Sequence, residues 1–284
     1  MDSTSGSGFF TDTTLCIGCK ACEVACKQWN ELPSDGFEFS ANSYDNTRAL
    51  SGTTWRHVAF VEQMQTDGAT VADRWLMMSD VCKHCTHAGC LEACPTGAII
   101  RNEFDNVYIQ PDVCNGCGYC VPSCPFGVVD LIAPSRDSDH SSYNTASLRE
   151  RRGDQTAMQS TGGVAGKCTL CYDRQAIGAQ PACAKACPTD SIQFGNVTEL
   201  RARAKQRVEN LQNRGVDAYL YGVDETSSVG DLNAFFLLTD RPEVYNLPPK
   251  PVLPSTHQTA GYASAALAAS VLALVGAAIF RAAL

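Results

Sequence analysis

The stretch CIGCKACEVAC, residues 16–26, spaces four cysteines as C-x2-C-x2-C-x3-C. Thiolates are strong ligands for iron and zinc, and four this close can surround a metal centre. The chain does something similar three more times. Its 16 cysteines fall into four groups: Cys16, Cys19, Cys22 and Cys26; Cys82, Cys85, Cys90 and Cys94; Cys114, Cys117, Cys120 and Cys124; Cys168, Cys171, Cys183 and Cys187. None is left over.

Three chemistries compete for these groups. Disulfides fit poorly, because cysteines three apart on a tight loop rarely have bridgeable geometry. A four-cysteine zinc site usually joins two C-x2-C pairs across a spacer. Only the last group, C-x2-C-x11-C-x3-C, resembles that. The third chemistry is a cubane [4Fe-4S] cluster. The bacterial ferredoxin run is C-x2-C-x2-C-x3-C-P, and its fourth cysteine ligates the other cluster of a pair. CNGCGYCVPSCP (114–125) matches it fully, and the first group differs in having Lys27 where the proline would stand. CKHCTHAGCLEACP (82–95) has two extra residues in the middle, and the fourth group has a longer insertion but keeps CAKACP. Four [4Fe-4S] clusters are therefore the expected cofactors, with all the cysteines as ligands.

That chemistry makes demands on the surrounding residues. Three cysteines on a loop hold three corners of a cubane, and the fourth points away to a neighbour, so the motifs must work in pairs. Gly18, Gly116 and Gly118 are expected to let the loops turn their amides toward sulfur. Each cluster with its thiolates carries −2, which takes the formal charge from −8 to about −16. Lys20, Lys83, Lys167 and Lys185 are candidate compensators, against the plain reading of solvated surface lysines. His84 and His87, inside the second motif, read as incidental loop histidines.

The elements that must position the motifs are short. CPTGAII, CPFGVVD and CPTDSIQF each leave the last cysteine for a short strand. WRHVAFVEQ and RWLMMSD read as paired strands with TDGA as the turn. The segment Ala133 to Gly166 is polar and reads as a surface insertion. TELRARAKQRVENLQNRG predicts a helix with Thr198 as N-cap, Glu199 in the first turn and Gly215 at the stop. DAYLYGV and AFFLLTD read as strands, and LPPKPVLPS as an extended, proline-rich linker. The domain reading is a cluster domain over 1–250, a linker over 251–258 and an apolar helix over 259–281.

Composition narrows the function. Hydrophobic residues make up 44% of the 284, enough for a packed core. The charge of −8 argues against a nucleic-acid partner, which needs a basic footprint. MDSTSGSGFF has neither a basic region nor an apolar core and is not read as a secretory signal. Thr259 to Phe280 carries no charge, a length suited to crossing a lipid bilayer once. No nucleophile–base pair or glycine-rich phosphate loop is found, so the chain is not expected to do organic chemistry itself.

With four such motifs in this order, the chain resembles the iron–sulfur β subunit of membrane-bound formate dehydrogenase. More widely, it is similar to the four-cluster electron-transfer subunits of molybdenum or tungsten enzymes. The likeness runs from Leu15 to the C-terminal helix and is carried by TLCIGCKACEVACKQWNE, CKHCTHAGCLEACPTGAI, CNGCGYCVPSCPFGV and KCTLCYDRQAIGAQPACAKACPTDSIQFG. The segment before Cys168 is longer than the family pattern. The resemblance implies an α+β fold: two ferredoxin-like double-cluster units with added strands and helix, plus one C-terminal transmembrane helix. It implies that the first motif pairs with the fourth and the second with the third. One cluster then takes Cys16, Cys19, Cys22 and Cys187, and another Cys168, Cys171, Cys183 and Cys26. A third takes Cys82, Cys85, Cys90 and Cys124, and the last Cys114, Cys117, Cys120 and Cys94. It further implies a separate molybdenum or tungsten pterin subunit that oxidises formate, and a membrane cytochrome b that passes electrons to quinone. The alternatives are the equivalent subunit of a nitrate, dimethyl sulfoxide, polysulfide or thiosulfate enzyme, or a non-redox scaffold stabilised by zinc. Arg281 after the apolar run places the C-terminus in the cytoplasm and the cluster domain on the other side. The cluster domain would then be exported folded, with a catalytic subunit that carries the signal.

Overall fold

The computed structural model describes residues 6–34, 39–41, 43–64, 73–132 and 163–282. Along the chain come β1 (Ser7–Asp12), α1 (Ala21–Trp29), β2 (Arg56–Gln63), β3 (Arg74–Val81), α2 (Gly89–Glu92), β4 (Ile99–Arg101), β5 (Val107–Ile109) and β6 (Asp130–Ile132). There follow β7 (Val164–Gly166), α3 (Tyr172–Ala176), α4 (Ala182–Lys185), β8 (Ile192–Asn196), α5 (Val197–Gln212), β9 (Tyr219–Tyr221), β10 (Ala234–Leu238) and α6 (Gln258–Ala282).

A four-stranded sheet in the order β8-β1-β10-β9 divides the molecule. Its centre is β1 beside β10, parallel, with Phe9 opposite Ala234. Side chains alternate across a strand, so GFF sends consecutive rings to opposite faces. Phe10 stacks on Phe235 at 5.5 Å and packs with Leu200, Ala204 and Leu211 of α5. Phe9 turns the other way, into a core it shares with Cys22, Cys26 and Cys168. The sheet thus has a helix side and a cysteine side. β1 has no counterpart in the sequence reading.

The helix on that first side starts one residue before the expected stretch. Its N-cap is Asn196, not Thr198: the Asn196 side chain accepts from the amides of Thr198 and Glu199. Asparagine reaches those orphan donors from an extended backbone, which is what an N-cap requires. The helix ends at Gln212, and Gly215 follows with φ +78°.

The other elements frame the motifs. β2 and β3 pair antiparallel over their full length, Arg56 opposite Val81. The expected TDGA turn, 66–69, lies outside the described residues. The strands after the second, third and fourth motifs are β4, β6 and β8. The expected insertion is shorter than 133–166. Residues 133–162 lie outside the described residues, but β7 pairs antiparallel with β6. A Cβ on Gly166 would stand 2.7 Å from the Gly52 carbonyl oxygen, so the strand is packed against the body and is no surface loop.

The proline-rich linker is docked as well. Leu253 is buried with Tyr221, Phe236 and Tyr245, and its amide donates to Ser228 Oγ at 3.0 Å. Pro254–His257 then form a 3-10 turn leading into α6. The run Pro254–Ile279 has a mean hydropathy of 2.0, and none of its most apolar stretch is buried. By length and composition this helix can cross a membrane.

Candidate metal centres

The four cysteine loops share a backbone signature. The residue two places after each first cysteine is left-handed: Gly18 (φ 67°), His84 (46°), Gly116 (74°) and Leu170 (54°). Glycine takes this conformation without strain; histidine and leucine do not. The sequence reading singles out only the glycines. The recurrence at His84 and Leu170 shows that one loop design is used four times, and the packed surroundings hold the two strained versions. Amides then turn inward: Leu170 donates to Cys168 Sγ at 3.2 Å, and Ala165, from β7, to Cys114 Sγ at 3.4 Å.

The thiols gather in four nests, each with one cysteine from a different motif. In the first, Cys16 has Cys187 and Cys19 as electrostatic neighbours, and Cys22 has Cys16. In the second, Cys26 faces Cys183, Cys168 and Cys171. In the third, Cys85 faces Cys82, Cys124 and Cys90. In the fourth, Cys120 faces Cys114, Cys117 and Cys94. The nests also touch in sequence. Cys22 of the first neighbours Cys183 of the second, Cys168 neighbours Cys82 of the third, and Cys90 neighbours Cys120 of the fourth. Every cysteine of the second nest is buried, whereas Cys19 in the first and Cys117 in the fourth are exposed.

The chemistry of the nests fits a clustered metal. All the cysteines are free thiols. Burial pushes Cys22 up to about 11 and Cys90 and Cys171 up to about 12. It also raises Cys16, Cys26, Cys85 and Cys168. Thiols that cannot ionise alone become thiolates when a coordinated metal supplies positive charge. Cys94 goes the other way. Its slight burial is outweighed by the Thr96 hydroxyl and the amides of Ile99, Thr96 and Ala98. A zinc tetrathiolate needs sulfurs about 3.8 Å apart, from 2.3 Å bonds to a tetrahedral ion. Among the described residues no three His, Cys, Asp or Glu side chains stand close enough to hold one ion.

The four candidate lysines separate. Lys83 is fully buried, paired with Asp80 and donating to the Val81 carbonyl at 2.8 Å. Lys167 is buried, donates to the carbonyls of Val107 and Cys168, and lies among Cys82, Cys90, Cys168 and Cys124. Lys20 is half-buried and pairs with Asp45 at 3.6 Å and Glu23 at 3.9 Å. Lys185 is exposed, the plain surface reading. His84 is not incidental: it is fully buried, and burial beside Lys167 and Arg101 pushes its imidazole well below the usual range, so it is neutral. His87 is exposed, as read.

Sequence reasoning missed Arg56. It lies at the start of β2 with 1% exposure, and its Nη1 donates to Ser79 Oγ at 3.0 Å. One signal was available. Period-2 alternation puts Arg56 on the face of Val58 and Phe60, an apolar face with a charge on it.

The comparisons agree with this chemistry. Two family models described as 4Fe-4S dicluster domains match, one over residues 15–98 and one over 73–141 and 154–197. The formate dehydrogenase iron–sulfur subunit of Haemophilus influenzae is 37% identical over 242 residues, 84% of this chain and 67% of that one. The formate dehydrogenase-O iron–sulfur subunit of Escherichia coli is 36% identical over 249 residues, 86% and 72% of the two chains. One of the polypeptides of anaerobic dimethyl sulfoxide reductase from Escherichia coli is 33% identical over 200 residues, 70% of this chain and 78% of its own length. Nests of free thiols on four repeated loops, matched by dicluster domains, are sites for several [4Fe-4S] clusters. The chain belongs to the family of formate dehydrogenase iron–sulfur subunits.

Proposed function

We propose that the chain is the electron-transfer subunit of a membrane-bound formate dehydrogenase and holds four [4Fe-4S] clusters, one in each thiol nest, as two ferredoxin-like double-cluster units. The ligand sets are those of the nests: Cys16, Cys19, Cys22 and Cys187; Cys26, Cys168, Cys171 and Cys183; Cys82, Cys85, Cys90 and Cys124; Cys94, Cys114, Cys117 and Cys120. The observation that carries this reading is the exchange between motifs. Each nest draws its odd member from a motif elsewhere in the chain, as the fourth cysteine of a ferredoxin run does.

The contacts between nests support a single file from first to fourth. The ends of the file support a direction. The root of α6 touches the second motif, which lends Cys94 to the fourth nest: Ser255 Oγ donates to Glu92 at 3.0 Å, and Leu253 packs beside Gly89. The fourth nest, with exposed Cys117, is therefore near the membrane helix. Electrons arrive at Cys19 from a molybdenum or tungsten pterin subunit and leave at the Cys117 end for a membrane cytochrome b and quinone. The cluster domain lies on the periplasmic side, with the C-terminus in the cytoplasm, which Arg281 after the span favours. A second reading, the equivalent subunit of a dimethyl sulfoxide reductase, has the 33% relative in its favour. The longer match to the formate relatives places it second.

Cys26→Ser tests the ligand sets. It should alter the EPR signal and potential of one cluster while Cys19→Ser alters a different one. If both substitutions change the same cluster, the exchange between motifs is wrong.

A further inference from the structure

Arg56 has the surroundings of a buried cation without an anion. Its side chain is almost fully enclosed, and no carboxylate pairs with it among the described residues. Nη1 is satisfied by Ser79, at 3.0 Å to Oγ. Nε and Nη2 have no partner. The Phe9 ring lies 4.7 Å from the guanidinium carbon. A buried guanidinium with two idle donors is costly unless something nearby accepts from it. Its strongest electrostatic neighbours are Cys183, Cys22, Cys168 and Cys26. They belong to the first and second nests, so Arg56 stands at the junction between the two.

We propose that Arg56 is a positioning residue for electron transfer: a fixed positive charge at the junction of the first and second nests that raises the reduction potentials of the clusters held there. The proposal rests on the four-cluster reading above. Adding one electron to a [4Fe-4S] centre with four thiolates takes its charge from −2 to −3, with no bond made or broken and no proton required. A positive charge nearby favours the more negative state, so it raises the potential. Burial acts oppositely, because a dry site disfavours the extra charge. The need is greatest at the second nest, where every cysteine is buried. Without compensation, that site would be hard to reduce from the first nest and would interrupt the file. Arginine suits this place because it stays charged under all conditions and its planar fork can donate to sulfur on two sides.

The test uses the intact membrane complex, full-length, carrying Arg56→Gln or Arg56→Lys. Potentials of all four clusters are read by EPR-monitored titration, and iron is counted in each preparation. Arg56→Gln should lower two of the four potentials and leave the other two in place. Arg56→Lys, which keeps the charge, should restore most of the shift. Full iron with unchanged potentials in Arg56→Gln overturns the proposal. So does an equal shift of all four clusters, or loss of iron in both variants, which marks a merely structural residue. Loss of iron in Arg56→Gln alone hands the decision to pulsed EPR on 15N-arginine-labelled protein. Reduced wild-type clusters should then show a nitrogen coupling that disappears in Arg56→Lys, and absence of that coupling overturns the idea. A failure of the cluster reading itself is separate, since it would appear as low iron in the wild type.

Discussion

Ser79 Oγ lies 3.2 Å from Cys22 Sγ. The same oxygen accepts from Arg56 Nη1 at 3.0 Å, which leaves its proton free for the sulfur. A hydrogen bond to a ligand sulfur favours the reduced, more negative cluster and so raises its potential. Ser79→Ala should therefore lower one potential, that of the first nest. A differential of about 1 kcal/mol for a charge-assisted bond corresponds to roughly 40 mV for one electron. A redox titration in which that potential stays in place would show that the contact does not persist in the loaded protein.

Anaerobically purified protein should contain about 16 iron and 16 sulfide per chain, as four cubanes require. Elemental analysis decides it. Roughly four zinc with no sulfide would return the chain to the scaffold reading.

The loop of the first nest should be the least tolerant of a methyl group. Gly18 has φ +67°, and a Cβ there would stand 2.6 Å from Phe60 Cε1. The Phe60 ring cannot swing aside freely, since it packs against Trp75 at 6.0 Å and Tyr44 at 6.1 Å. Left-handed backbone alone costs a non-glycine residue about 1–2 kcal/mol. Gly18→Ala should lose one cluster in four, seen as a fall in iron of about a quarter, with the fourth nest untouched.

Apoprotein and holoprotein should respond differently to alkali. Without iron, burial holds the Cys22 thiol at about 11 and those of Cys90 and Cys171 at about 12, against 9.0 for an ordinary thiol. A group whose folded pKa is raised binds its proton more tightly in the folded state. Its contribution is complete below about pH 9 and is lost as pH rises through the folded value. The rise at Cys22 corresponds to about 3 kcal/mol. The iron-free chain should unfold between about pH 9 and 12 by circular dichroism. The loaded protein, with its thiolates already bound to iron, should lack that transition.

What was legible in the sequence was mostly local. Cysteine spacing is fixed by the reach of a loop around a cubane, so sixteen ligand candidates could be named at once. The hairpin of β2 and β3 shows in its own alternation. Partners far apart were not readable in the same way. Strand β1 pairs with β10 across more than two hundred residues, and nothing near GFFTD announces that neighbour. Arg56 sits in a stretch that reads correctly as a strand, but its role depends on thiols from the first and fourth motifs. His84 reads as a loop residue, whereas it is fully buried and the groups that act on its imidazole, among them Lys167, Arg101 and Val107, lie far from it in sequence. The Asn196 cap lies two positions before the expected stretch, and Thr198 is an equally plausible residue type for a cap.

The C-terminal helix gives the last prediction. In α6, Gly261, Ala265, Ala269, Ala273 and Ala277 recur every fourth residue, and Leu267, Val271, Val275 and Ile279 do the same on another side. At 3.6 residues per turn the two stripes lie roughly 200° apart. Leu267, Val271, Val275 and Ile279 are all exposed, so the cluster domain does not cover them. Small faces let membrane helices approach closely, which suits the small stripe to a partner helix and the bulky stripe to lipid. Leu253 in the core and Ser255 on Glu92 tie the chain to the body before the apolar run begins, and the described large apolar side chains of the run are exposed. Deleting residues 259–284 should therefore leave the iron content and the catalytic partner in place. The truncated complex should leave the membrane fraction and stop delivering electrons to quinone, while still passing them to a soluble dye. Retention in washed membranes with quinone reduction intact would show that another segment or subunit supplies the attachment.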